Sequence, residues 1–174
     1  MAYTTIDDPS VYFQTTLYAG DGSTSNAITN AGNSDLQPDW IWGSLRDEDG
    51  GARFVFDSSR GVTNRLKTNA ETEEQVRSGV TAFNSDGFTV SSHSDSNLNA
   101  KSLVAWQWKA NGGTTSSFTE SGNNPGGTIQ TNTTAGFSII TTTGTGGAGT
   151  ISHGLGAVPH WIISKCRSHG STGW

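Results

Sequence analysis

One cysteine, Cys166, is all that the 174 residues contain. That excludes an intramolecular disulfide framework and a cysteine-based zinc cluster. Basic charge is also scarce: ten Lys and Arg stand against fifteen Asp and Glu, a net charge of -5. A general nucleic-acid binder needs a basic footprint, so nucleic acid is excluded as the expected partner. No run of 18 apolar residues occurs, which excludes a membrane-spanning helix and gives the expectation of no membrane insertion. Met1 to Thr5 has neither a basic region nor an apolar core, so no secretory signal is read there. The expectation is synthesis in a cytoplasm, where the protein stays or which it leaves by a route needing no signal, for example by lysis. Charged residues are only 14% of the chain, which argues against wholesale disorder.

What the chain has is Gly (23 residues), Ser and Thr (46 together) and large aromatics: six Trp, seven Phe and three Tyr. This composition favours strands and turns over helices. Residues 1–10 read as a polar N-terminal arm. Val11 to Tyr18 alternates, with Tyr12, Gln14, Thr16 and Tyr18 on one face and Phe13, Thr15 and Leu17 on the other. Trp40-Ile41-Trp42 and Arg53-Phe54-Val55-Phe56 flank the turn signal Asp47-Glu48-Asp49-Gly50-Gly51 and read as a β-hairpin. Asn84-Ser85-Asp86-Gly87 is a turn before the strand Phe88-Thr89-Val90. Ser102 to Trp108 is the clearest strand, with Val104, Trp106 and Trp108 sharing a face. One short helix is expected over 71–81, from the capping-box spacing of Thr68 and Glu71 and the early acids Glu71, Glu73 and Glu74.

The chain repeats itself. Pro38-Asp39-Trp40-Ile41-Trp42 and Pro159-His160-Trp161-Ile162-Ile163 share a pattern, and Arg46 and Arg167 keep the same offset. The expected division is therefore a module over 11–110, a Gly/Ser/Thr/Asn-rich linker or loop over 111–135, and the start of a second, incomplete module over 136–174. On that register the second unit breaks off mid-hairpin, so a longer gene product is expected. Its strands are expected at Phe137 to Thr143 and Trp161 to Lys165. The alternative is that 136–174 supplies closing strands to the first sandwich.

Few residues suggest chemistry. Asp47 and Asp49 crowd a polar turn, where solvent keeps carboxylates ordinary and a glycosidase pair is not expected. Carboxylates in a loop suit calcium, so these two are the weak candidates for a cation, without a full calcium-loop spacing. His153, His160, Cys166 and His169 have no converging metal spacing, and no other metal site or cofactor is expected. The Gly-rich run 144–149 lacks the Gly-Lys-Ser/Thr ending of a phosphate loop. Trp40, Trp42, Trp106 and Trp108 have two readings. They are core, or they are an interface or sugar-stacking patch.

Four strings occur in order: Leu36-Gln37-Pro38-Asp39-Trp40-Ile41-Trp42, Phe54-Val55-Phe56-Asp57-Ser58-Ser59-Arg60-Gly61-Val62-Thr63, Phe83-Asn84-Ser85-Asp86-Gly87-Phe88-Thr89-Val90 and Val104-Ala105-Trp106-Gln107-Trp108-Lys109-Ala110. Together they resemble a repeat module of large virion proteins of tailed marine phages of the cyanophage type. Gly136-Phe137-Ser138-Ile139 and His153 to Pro159 look like its inter-repeat signature. The resemblance implies a mostly β fold, a concanavalin- or lectin-like antiparallel β-sandwich. It implies a virion location and a structural role, tail-fibre-like or as a capsid-attached fibre or decoration; it does not imply an activity, and for want of an acid pair no enzyme is expected. The partners expected are other virion proteins and further copies of the chain, a homo-oligomer that is a trimer if the protein forms a fibre. The alternative is a carbohydrate-binding module that recognises a host surface glycan.

Overall fold

The computed structural model describes residues 6–47, 51 and 53–174. Alternating β-prone residues set the architecture, and the chain is mostly antiparallel β. Six strands form the main sheet: β1 (Phe13–Ala19), β3 (Trp40–Leu45), β4 (Arg53–Asp57), β5 (Asn64–Lys67), β6 (Gln75–Val76) and β9 (Ser102–Trp108). Their order is β1-β9-β3-β4-β5-β6. A second sheet has the order β2-β8-β7, from β2 (Asn26–Ile28), β7 (Val80–Phe83) and β8 (Phe88–Val90). A third, β10-β11-β12, is built from β10 (Ser116–Phe118), β11 (Gly127–Asn132) and β12 (Phe137–Thr142). One short α-helix, α1 (Ser94–Asn97), is found among the described residues, with a single 3-10 turn at Pro9–Val11.

The core lies between the first two sheets. Ile41, Phe54, Phe56 and Ala105 come from one side; Ile28, Val80, Phe88 and Val90 come from the other. Phe54, Phe56 and Phe88 are fully buried, each worth roughly 2–3 kcal/mol against exposure. Strand alternation sends Ile41, Gly43 and Leu45 inward, so Trp40 and Trp42 necessarily face the other way. Gly43 sits across from Phe54 because a Cβ there would meet the Phe54 ring at 2.1 Å. Strands β3 and β4 pair as read, with Trp40 opposite Asp57 and Trp42 opposite Val55, and residues 48–50 of the expected turn lie outside the described residues. The 84–87 turn also forms as read: Asn84 N–H donates to Gly87 C=O at 2.9 Å, and Gly87 adopts φ +92°.

The structure corrects the position of the helix. Residues 71–81 hold β6 and the start of β7, and the helix lies at 94–97. The physical reason is that the segment has no apolar stripe and its capping groups are used elsewhere. The Thr68 hydroxyl accepts from Trp42 Nε1 at 3.2 Å, Glu74 is drawn into an arginine cluster, and Val80 belongs to the core. Residues 161–165, expected as a strand, pair with no strand among the described residues and run as irregular chain. Their backbone passes over a sheet face rather than along a sheet edge.

The stretch 111–135 carries β10 and β11, and β12 pairs with β11 over all its residues. This third sheet is fastened through two buried polar side chains. Asp39 accepts from the Ser58 hydroxyl at 2.6 Å and from the N–H groups of Ala110, Gly112 and Gly113 at 2.7–2.9 Å. Gln130 of β11 donates to the Ser58 and Ser59 hydroxyls and accepts from Gly113 N–H. Of the N-terminal arm, residues 6–10 are described. Asp8 caps the 3-10 turn and accepts from the Ser34 hydroxyl at 2.7 Å, which ties the arm to the 29–36 loop.

Candidate functional site

Antiparallel register places Trp40 opposite Trp108 and Trp42 opposite Trp106. Directly opposed residues share a sheet face, so the four tryptophans form one block on the outer side of the main sheet. Trp42 and Trp106 meet edge to face with centroids 6.2 Å apart. Phe13 of β1 extends the block, 4.8 Å from Trp108. Val55 of β4 completes its other side. All four tryptophans are half-buried. They are therefore neither the interior of the two-sheet core nor a bare platform.

Two later segments cover this face. Phe137 of β12 stacks on Trp108 at 6.1 Å and meets Trp40 edge-on at 6.4 Å. Beyond β12 the chain has no regular structure and returns as a strap. Trp161, Ile162, Ile163 and Trp174 of the strap face Trp40, Trp42, Val55 and Thr68 across a cleft of about 280 Å³. All six tryptophans of the chain thus gather on one side of one sheet. Sequence alternation alone identified four of them. Trp161 carried a signal, its match to Trp40 in the repeat. Phe137 carried one too, as an apolar residue of an expected strand that, like Trp161, needs a facing sheet; nothing marked Trp174 as their companion.

The strap is held by a clamp at the far edge of the sheet. Arg167 Nε and an Arg167 terminal nitrogen donate to both oxygens of Glu74 at 2.9 and 2.8 Å, and Glu74 N–H donates to Arg167 C=O at 2.8 Å. Arg60, nearly fully buried, joins from beneath, bridging Glu74 and Asp57. Ser171 N–H donates to Glu71 C=O at 2.7 Å, and Trp174 Nε1 donates to Lys67 C=O at 2.8 Å. Burial opposes ionisation of Glu74, but the guanidiniums of Arg167 and Arg60 outweigh it and hold its carboxyl below the usual range. The same hydrogen bonds raise the Arg167 pKa.

The cleft is apolar. Thr68 and Ser164 are the hydroxyl-bearing residues on its walls, and among the described residues no carboxylate or carboxamide lines it. The Thr68 hydroxyl already accepts from Trp42. Nothing in this arrangement provides a nucleophile with a base, or two carboxylates across a gap. The calcium candidates lie elsewhere. Asp47 is exposed, and its carboxylate accepts from Ser102 N–H at 3.0 Å, a bond that lowers its pKa. Asp49 lies outside the described residues. Among the described residues no three of His, Cys, Asp and Glu converge to hold a metal ion.

No curated protein and no solved structure matches the chain. The sequence model of one family does match, over residues 8–174. That span takes in the main sheet, the tryptophan block, β12 and the strap together. The chain therefore belongs to the DUF7483 family, a domain of unknown function.

Proposed function

We propose that the chain is a non-catalytic, lectin-like β-sandwich module of a tailed-phage virion, in a tail-fibre-like or capsid-attached decoration protein, and that it works by assembly and presentation on the particle. The observation that carries this reading is the apolar lining of the aromatic face. Tryptophans in an assembly module are expected to be covered by apolar neighbours, and here Phe137, Ile162, Ile163 and Trp174 cover them. The four ordered motifs that resemble phage virion repeats supply the biological setting. Other virion proteins and further copies of the chain are the partners.

A carbohydrate-binding module is the second reading. It is favoured by Trp161 and Trp174, both exposed beside a cleft large enough for a single sugar ring. It is disfavoured by the walls. Sugar sites join an aromatic platform to several polar groups that fix hydroxyls, and this cleft has no Asn, Asp, Gln or Glu. Proteomics of purified particles tests the first reading, with the chain expected among the virion proteins. Its absence from particles, while present in the infected cell, overturns the proposal. A glycan array carrying host surface polysaccharides tests the second. Binding lost on Trp161→Ala would move the assignment from assembly to recognition.

A further inference from the structure

Residues 159–163 repeat the pattern that builds β3, and the two copies meet different fates. In β3, Trp40-Ile41-Trp42 is hydrogen-bonded on both sides, to β4 and β9, and Ile41 is fully buried. Trp161-Ile162-Ile163 pairs with no strand, and Trp161 and Ile162 are 70% and 73% exposed. A run of aromatic and β-branched residues with unpaired backbone on both edges is a strand that lacks a sheet.

The molecule also offers a sheet edge that lacks a strand. β1 is seven residues long and pairs on one side only, with β9. Lys109 N–H donates to Tyr12 C=O, and Gly20 N–H donates to Lys101 C=O, at the two ends of that ladder. By alternation, the backbone groups of Phe13, Thr15 and Leu17 point away from β9. Among the described residues these three have no backbone partner on the open side. Leu17 is 61% exposed. A groove of about 360 Å³ runs along the edge, walled on its far side by Thr29, Ala31 and Gly32.

We propose that residues 159–165 of one copy add as a strand to the open edge of β1 in a second copy. The lengths match, at seven residues each. Pro159 falls at the strand start, where its missing N–H costs no ladder bond. Addition puts Trp161 and Ile163 beside Phe13 and Leu17, which carries the aromatic face one strand further. The donor must come from another copy. Arg167 is clamped to Glu74, next to β6, and β6 lies five strand spacings from β1, about 24 Å. The two residues from Lys165 to Arg167 span about 7 Å. Donor and acceptor are different surfaces, so two copies exchange reciprocally or a row of copies grows. The proposal deepens the assembly reading and rests on it.

Sedimentation of the full chain tests it, comparing the native sequence with Thr15→Pro, Ile162→Lys and Val158→Lys. Thr15→Pro removes an outward N–H and leaves the β9 ladder intact. Ile162 lines the outer cleft but is 73% exposed, so a lysine there can turn its ammonium to water and leave the sheets in place even if the proline variant does not fold. The native chain is expected to associate. Both of these variants should weaken association by at least about tenfold. Val158→Lys, on a residue 84% exposed just outside the donor strand, should leave it unchanged. A native chain that stays monomeric at all concentrations overturns the proposal. So does association that ignores Ile162→Lys, or that falls equally with Val158→Lys, the mark of general stickiness. An associating chain that ignores both strand variants leaves assembly standing and removes only this interface.

Discussion

Asp39 accepts four hydrogen bonds on a carboxylate that no solvent reaches, three of them from the backbone N–H groups of Ala110, Gly112 and Gly113. Asp39→Asn would turn an amide N–H₂ toward N–H donors. That change should destabilise the fold by about 3 kcal/mol, because one donor is left facing another in a dry site. Chemical denaturation of the variant checks it, and a loss under about 0.5 kcal/mol would mean that the loop rearranges freely. Gly43 is a second single-residue constraint. The Phe54 ring occupies the space where its Cβ would lie, so Gly43→Ala should cost about 1–3 kcal/mol through overpacking, read as a lowered midpoint of urea unfolding. Trp106, half-buried against Trp42, stabilises from the outside of the sheet. Trp106→Ala should still cost about 3 kcal/mol, since it empties the centre of the block.

At the scale of elements, the strands of the main sheet were readable from alternation. Val11–Tyr18 corresponds to β1, and Ser102–Trp108 coincides with β9. Alternation also told which residues share a face, and so brought Trp40, Trp42, Trp106 and Trp108 together in advance. It could not tell which face is the inner one, because both faces of β3 are apolar and the covering residues come from over 90 positions away. The helix was misplaced for a related reason. A capping-box spacing is local, whereas the fates of Thr68 and Glu74 are decided by Trp42, Arg60 and Arg167, all remote in sequence. The course of the strap was not legible, since it pairs with no strand among the described residues and is held by isolated bonds to residues about 90 positions or more away. Its clamp gives a pH dependence with a definite sign. The folded Glu74 pKa lies below the ordinary 4.5, so ionisation holds the strap above that pH. The contribution is lost as pH falls from about 4.5 through the lowered folded value. Hydrogen exchange should show residues 161–174 loosening on acidification before the main sheet does. Glu74→Gln should show the same loosening at neutral pH.

For the whole molecule, the third sheet and the strap are two layers of cover added to a two-sheet core, and they should separate on truncation. A chain cut after Thr143 retains β12 and the Phe137 stacking, so it should unfold in one cooperative step with the main core unchanged. A chain cut after Asn132 loses β12, exposes Trp40 and Trp108 to water, and strips β11 of a partner over six residues. It should be several kcal/mol less stable, or aggregate, and calorimetry of the two distinguishes them. If the chain cut after Asn132 is as stable as the one cut after Thr143, β12 is an appendage rather than cover. The crowding of six indoles has an optical consequence as well. Trp42 and Trp106 cross at 67° with centroids 6.2 Å apart, close enough for their electronic transitions to couple. Coupled indoles produce paired circular-dichroism bands of opposite sign, superimposed on a weak β-sheet background. The far-ultraviolet spectrum of this protein should therefore carry a tryptophan couplet that vanishes in Trp106→Phe. That signal would report the integrity of the outer face in solution, independently of the hydrogen-bonded sheet beneath it.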